Sequence, residues 1–259
     1  FSPVTMHPLA ESSLRPAADS ELSIMEYFYT PPQNISPDSL SIEGDEFIHL
    51  THVMRKKVGD TIRVVDGVGA AYDTAIVEIS KRTAQCRIHA HHNRLHEPEI
   101  DVTIAVGLLK NFSNYDFLVE KCTELGVNVI VPLLTERTIP QRAKTERWQK
   151  LALAAMKQCG RCVLPTVSEA KRFREFIASV PTSSLKLIPH EKATSLNIGE
   201  AIPGKSISSA IICIGPEGGF SDDEIAVAHQ AGFVPVCLGG RRLRTETAAI
   251  VAVSLLTVK

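Results

Sequence analysis

Two glycine-rich segments near the C-terminus carry the residue types and spacing that make a ligand site. Gly215-Pro216-Glu217-Gly218-Gly219 follows the apolar run Ala210 to Ile214. Leu238-Gly239-Gly240-Arg241-Arg242-Leu243-Arg244-Thr245-Glu246-Thr247-Ala248 follows Val234 to Cys237. Glycines allow positive φ and a close approach of backbone to ligand. Each segment leads into a predicted helix, whose first N–H groups are free to donate. Two such loops side by side would form a pocket walled by main chain, with arginines at its mouth. The arginines call for something anionic beside the ligand.

The elements that must position these loops are legible in part. Residues 25 to 95 read as short strands at Glu26–Tyr29, Leu40–Ile42, Thr61–Val65, Ala71–Ile79 and Gln85–Ala90, with one helix from Gly44 to Arg55. Gly59-Asp60 and Asp66-Gly67-Val68-Gly69 mark turns. This pattern resembles a small β-barrel. Gly67-Val68-Gly69-Ala70-Ala71 begins like a dinucleotide fingerprint but has no helix after it, so a hairpin turn is the better reading. Leu95-His96-Glu97-Pro98-Glu99 is a polar linker.

Beyond the linker, strand and helix alternate. Strands are expected at Val102–Leu109, Val127–Leu133, Leu185–Ile188, Ser209–Ile214 and Val234–Leu238. Ser113, with Asp116 three residues on, reads as the N-cap of a helix ending at Gly126. Further helices run from Thr145 to Arg161, from the Ser221/Glu224 capping box to Gly232, and from Thr245 to Val258. Near-continuous apolar strands imply a parallel sheet buried on both faces. The last helix is apolar enough to require burial, part of it in a dimer interface. Both glycine loops then lie beyond the carboxyl ends of strands, where ligands of open parallel sheets bind.

Composition sets limits. At 259 residues the chain can bury a sizeable core and divide into two domains. Phe1 to Ile24 lacks the basic start and apolar stretch of a secretory signal and reads as a disordered extension. No apolar run reaches the roughly 20 residues that span a bilayer. Six scattered cysteines fit reduced core thiols in a cytoplasmic protein. The lone Cys159-Gly160-Arg161-Cys162 lacks the second half of a zinc site. Net charge is −1, but Glu136 to Arg161 holds seven Lys/Arg against two Glu. Such a run is usually a solvated helix face, and it is also how a phosphate-tracking surface looks. His89, His91, His92 and His96 lie on a strand and linker that would not converge them on a metal, so no metal is expected.

With these residues in view, the chain resembles the ribosomal RNA small subunit methyltransferase E family of the SPOUT superfamily. Gly215–Ile225 and Leu238–Ala248 match the family's two signature blocks. Further matches are His49-Leu50, Val53-Met54-Arg55, Gly59-Asp60, Lys110, Lys121, Glu124 to Val127, Glu136-Arg137, Gln158, Arg161 and Pro165. Departures are the strand Met25 to Tyr29, which lacks the family's arginine, Lys157 in place of an acid, and Arg242 in place of an apolar residue. The resemblance implies an α/β protein: an N-terminal PUA-like β-barrel over residues 25–95, and a C-terminal SPOUT α/β domain with a trefoil knot over residues 99–259. It also implies a homodimer that methylates N3 of a uridine in 16S rRNA, free or in the 30S subunit, with S-adenosylmethionine as methyl donor.

On that resemblance, cofactor contacts fall to Gly215, Glu217, Gly218, Gly219, Leu238, Gly239, Leu243, Arg244, Thr245, Glu246 and Thr247, and to Pro189 and His190 after another strand. Glu217 reads equally as a carboxylate bracing its own loop. Uridine N3 carries a proton, and a guanidinium can stabilise the charge that develops as the proton leaves. Arg241 and Arg244 are the candidates, with Arg242 third; a phosphate clamp is the alternative for each. Glu246 reads as a helix cap or a proton acceptor. N3 lies on the Watson–Crick edge, so the base must be unpaired or swung out. Arg55, Lys56, Lys57, Arg137, Arg142 and Arg161 are the expected RNA backbone contacts.

Overall fold

The computed structural model describes residues 26–182, 184–191, 196–202 and 207–258. The extension read over residues 1–24 lies outside the described residues.

In the first third, side chains alternate between faces, and the inward set (Phe28, Leu40, Ile42, Ile62, Val64, Ile76, Ala84, Cys86) packs into one cluster. The strands β1 (Tyr27–Tyr29), β2 (Ser39–Glu43), β3 (Thr61–Val65), β4 (Ala70–Ile79) and β5 (Thr83–Asn93) form a sheet in the order β1-β3-β4-β5-β2. Thr30 Oγ1, just past the end of β1, donates to the Ser41 carbonyl in the middle of β2 at 2.6 Å, tying the two edge strands together. Helix α1 (Gly44–Ile48) continues as a π-helical turn, His49–Val53. β3 and β4 pair antiparallel, so residues 66–69 are the expected hairpin turn. β5 runs further than its sequence suggested, because β4 pairs with it as far as Ala70↔Asn93. His92 Nε2 there meets Asp73 Oδ2 at 2.9 Å. Among the described residues, no three His, Cys, Asp or Glu side chains are grouped to hold a metal ion.

The second part is a seven-stranded sheet, every pair parallel. In chain order its elements are β6 (Asp101–Gly107), α2 (Phe112–Glu124), β7 (Val129–Leu134), α3 (Thr145–Cys159), β8 (Thr166–Val167), β9 (Lys171–Arg172), α4 (Phe173–Ser179), β10 (Leu185–Pro189), α5 (Ile198–Ala201), β11 (Ser209–Ile214), α6 (Asp222–Gln230), β12 (Val234–Val236) and α7 (Thr245–Thr257). The spatial order is β12-β10-β11-β6-β7-β8, with β9 also on β7. Apolar residues of α2, α3 and α7 pack on one face of the sheet and those of α4 and α6 on the other. No described helix is long and apolar enough to cross a membrane.

Two expectations need correction, and one stretch carries no expectation. The N-cap of α2 is Asn111, whose Oδ1 accepts the Ser113 amide at 2.9 Å; Ser113 itself lies inside the helix. The asparagine carboxamide is as good a cap as serine, and the loop from β6 places it first. The elements between residues 162 and 184 went unread. β8 and β9 are too short to show a period, although α4 does bury Phe173, Phe176 and Ile177 at helical spacing. The second correction concerns Arg161, expected on the RNA-facing surface, whose guanidinium is buried and bonded within the protein. It follows Gly160, the left-handed cap of α3, and its side chain is 3% exposed. Nη1 donates to the Thr123 and Val127 carbonyls at 2.7 and 2.9 Å, and Nη2 to Glu97 Oε2 at 2.7 Å. Glu97 Oε1 also accepts the Cys162 and Val163 amides. The linker glutamate therefore fastens the end of α3, and Leu164 N and Gly69 N complete the seam by donating to Gly67 and Cys162 carbonyls. Lys157 crosses the same seam to Glu46.

Cys86, Cys122, Cys162 and Cys213 are core residues, whereas Cys159 and Cys237 are half-buried. Burial pushes Cys86 and Cys162 up to about 11, Cys122 up to about 12 and Cys213 higher still. They stay protonated at neutral pH, and all six cysteines are free.

Candidate functional site

β11 pairs with β6 in full register, from Ser209↔Asp101 to Ile214↔Val106. The first glycine loop therefore leaves the sheet beside the end of β6. It folds back at once: a Cβ on Gly215 would stand 2.9 Å from the Gly219 backbone, and Gly219 N donates to the Pro216 carbonyl at 2.8 Å. Gly107, the last residue of β6, meets the same loop. A Cβ there would lie 2.5 Å from Pro216 Cδ and 2.6 Å from Pro216 N. The loop ends at the Ser221/Glu224 capping box, where Ser221 Oγ accepts the Glu224 amide and Glu224 Oε2 accepts the Ser221 amide.

The second loop leaves β12, at the opposite edge of the strand trio β12-β10-β11. His190 N donates to the Val236 carbonyl at 3.0 Å, extending the β10–β12 pairing, and Cys237 N donates to Leu196 O. At the far end of the loop, Thr245 Oγ1 donates to the Gly215 carbonyl at 3.1 Å. The start of α7 is thus stitched to the first loop.

Between the loops lies a cavity of about 640 Å³. Its walls are residues 189–191, 214–220, 237–239, 241–246 and 248, together with Asn114 and Arg137. It opens beyond the carboxyl ends of β10, β11 and β12, the ligand-binding side of a parallel sheet. Its volume is that of a small-molecule site. Nothing stands within 4 Å of where a Cβ on Gly239 would be, so the bare main chain faces the opening.

The cavity brings together Pro189, His190, Gly215, Glu217, Gly218, Gly219, Leu238, Gly239, Arg241, Arg242, Leu243, Arg244, Thr245 and Glu246. Thr247 is the exception. It is exposed on the first turn of α7 and is not part of the wall, because one step along a helix turns a side chain by about 100°. Glu217 Oε1 accepts the Lys110 amide at 2.9 Å, so it braces its loop while lining the cavity. Glu246 is buried in the first turn of α7, where the helix dipole favours a carboxylate.

The expected RNA contacts scatter. Arg55, in a left-handed conformation (φ 53°), and Lys56 and Lys57 follow the π-helical turn of the first sheet's domain. Lys56 pairs with Glu26 at 3.2 Å. Arg142 is exposed ahead of α3. Arg137 stands at the cavity itself, with Nη1 donating to the Gly218 carbonyl at 2.7 Å. Sequence reasoning missed Asn114 and Cys237 as cavity residues. Asn114 had one available signal: it lies in the helix that follows the carboxyl end of β6.

The chain matches the family model of the RNA methyltransferase domain over residues 96–257 and that of the RNA methyltransferase PUA domain over residues 42–88. Ribosomal RNA small subunit methyltransferase E of Synechocystis is 34% identical over 228 residues, covering 86% of this chain and 74% of that protein. The Bacillus subtilis protein of the same name is 29% identical over 232 residues, covering 85% and 90%. The crystal structure of the Neisseria gonorrhoeae enzyme bound to S-adenosyl methionine superposes with a TM-score of 0.80 at 31% identity, covering 89% of this chain and 95% of that one. The sequence match, the paired domains and the cavity together establish that this chain belongs to the ribosomal RNA small subunit methyltransferase E family.

Proposed function

We propose that this protein methylates N3 of a uridine in 16S rRNA with S-adenosylmethionine as donor. The observation that carries the reading is the cavity formed by two glycine loops beyond β10, β11 and β12. Its main-chain walls suit a nucleoside, which needs a tight cleft with a few fixed donors and acceptors. Pro189, His190, Gly215, Glu217, Gly218, Gly219, Leu238, Gly239, Leu243, Arg244, Thr245 and Glu246 would hold it. When bound, S-adenosylmethionine supplies an electrophilic methyl group whose sulfur keeps the bonding pair as the new carbon–nitrogen bond forms. The loops hold the base at near-attack distance, about 3–3.5 Å. The N3 proton passes to water, and Arg241 and Arg244, which keep their charge throughout, stabilise the anion left on the ring.

RNA is gripped away from the cavity. Arg55, Lys56, Lys57 and Arg142 are the proposed backbone contacts, on a PUA-like barrel (residues 25–95) and on the methyltransferase domain (residues 99–259). The reading includes a trefoil knot in the second domain, a cytoplasmic site of action, a homodimer and an assembled 30S particle as one form of the substrate. Leu255 on α7 and Val258 just beyond its end, 48% and 62% exposed, are apolar surface suited to the dimer contact.

Three measurements test this. Calorimetric titration with S-adenosylhomocysteine should show binding to the purified chain. Nucleoside analysis of small-subunit rRNA from a deletion strain should show 3-methyluridine lost; persistence of 3-methyluridine, or loss of a 2′-O-methylated nucleoside instead, refutes the assigned target. Arg244→Ala should lower turnover on the order of 100-fold and weaken S-adenosylhomocysteine binding far less, since main-chain contacts at this turn remain. Parental turnover in that variant removes Arg244 from the chemistry.

A further inference from the structure

The geometry points to Arg137 as a further catalytic guanidinium, acting on the target base from a different loop than Arg241 and Arg244. This inference rests on the uridine-N3 reading above. Arg137 comes from the loop between β7 and α3, whereas Arg241, Arg242 and Arg244 come from the loop after β12. All four line the same cavity.

Arg137 differs from the other three in being anchored. Its Nη1 donates to the Gly218 carbonyl at 2.7 Å, and its aliphatic stem lies over Gly218, with Cβ 3.3 Å from where a side chain there would begin. The backbone beneath it is pinned as well: Glu136 N donates at 2.9 Å to Oε1 of buried Glu224, whose other oxygen caps α6. Thr135 N donates to Thr138 Oγ1 at 3.0 Å. The side chains of Arg241, Arg242 and Arg244, by contrast, make no hydrogen bond or ion pair with the described residues. A donor held in place before reaction costs no reorganisation when charge develops, and that is the larger part of such stabilisation. One bond to Gly218 leaves most of the guanidinium N–H donors available.

The chemistry offers two places for such donors. When uracil N3 loses its proton to water, the negative charge spreads over N3 and the two carbonyl oxygens beside it. N3 itself must stay open to the methyl carbon. The charge is therefore met at O2 and O4, on either side of N3, where donors from two separate loops can each meet one oxygen. The second loop supplies one oxygen's partner and Arg137 the other's. No proton leaves either guanidinium.

The test uses the full-length protein with small subunits from a strain lacking the modification. Arg137→Ala should lower kcat on the order of 100-fold at saturating RNA and donor. KM for the particle and the Kd of S-adenosylhomocysteine should change by less than about threefold. The deficit should shrink as pH rises, because hydroxide then removes the N3 proton without help. Arg137→Lys, which keeps the charge on a single donor atom, should recover part of the rate. Full kcat with a raised KM overturns the inference and makes Arg137 a phosphate contact. Loss of S-adenosylhomocysteine binding as the main change also overturns it, leaving Arg137 as a brace for the first glycine loop. A wild-type reaction that yields no 3-methyluridine refutes the function proposed above along with this inference, whereas wild-type methylation with an unimpaired Arg137→Ala refutes this inference alone.

Discussion

Gly107→Ala should damage the cofactor site although Gly107 does not line it. The added methyl would lie 2.5 Å from Pro216 Cδ and 2.6 Å from Pro216 N. Carbon atoms normally stand about 3.5–4.0 Å apart, so some part of the structure must move by about 1 Å. β6 is an interior strand hydrogen-bonded on both sides, to β11 and β7, and resists displacement. The glycine loop is the softer partner and is expected to give way. Overpacking of this size costs about 1–3 kcal/mol. If that cost falls on the loop conformation that binds ligand, affinity for S-adenosylhomocysteine drops by about 5- to 150-fold. Turnover should fall further, since a 1 Å displacement of aligned groups can cost on the order of 100-fold in rate. Calorimetric titration reads the affinity directly. Gly240→Ala is the control: it puts the same methyl in the second loop with nothing within 4 Å. Parental affinity in Gly107→Ala, or an equal loss in Gly240→Ala, would refute the reasoning.

Two further outcomes follow from the buried groups. Glu97→Gln or Arg161→Met leaves one charge of a 3%/0% exposed pair without its partner, and urea denaturation should register a loss of about 3–5 kcal/mol; a loss under about 1 kcal/mol would show the pair to be solvated in solution. Raising the pH should destabilise the fold through its thiols. Burial holds Cys86 and Cys162 at about 11 and Cys122 at about 12, against 9.0 for a free thiol, so folding is favoured fully below about pH 9. Above it the unfolded chain ionises first, and stability is lost as pH climbs through the folded values. Urea midpoints measured between about pH 8 and about pH 10.5 should fall steadily, less so in Cys122→Ala after correction for its own cavity. A flat profile would contradict the burial of these thiols.

Much of the second domain was written in local pattern. Ile211 to Ile214 is apolar at every position because both faces of β11 are covered, by α7 on one side and α6 on the other. The Ser221/Glu224 box needs only neighbouring residues, so its reading survived intact. Side chains whose partners are distant in sequence were not legible. Arg161 has the composition of a phosphate contact, and only its placement between Glu97 and the end of α2 turns it inward. Glu97 itself reads in the sequence only as part of a polar linker. The same blindness applied to Arg137, whose position over Gly218 depends on β7 and β11 lying on either side of β6.

The chain by itself determined that two glycine loops would end apolar strands and open helices, and that the second would carry arginines, since each feature depends on residues within a few positions of one another. Tertiary structure alone decided which cations face the ligand and which are spent in the frame. That choice depends on strand order, because β11 inserts beside β6 and brings Pro216 against Gly107, Thr245 against Gly215 and Arg137 against Gly218. Contacts between residues up to 109 positions apart are a property of the packed sheet, and no short-range pattern encodes them.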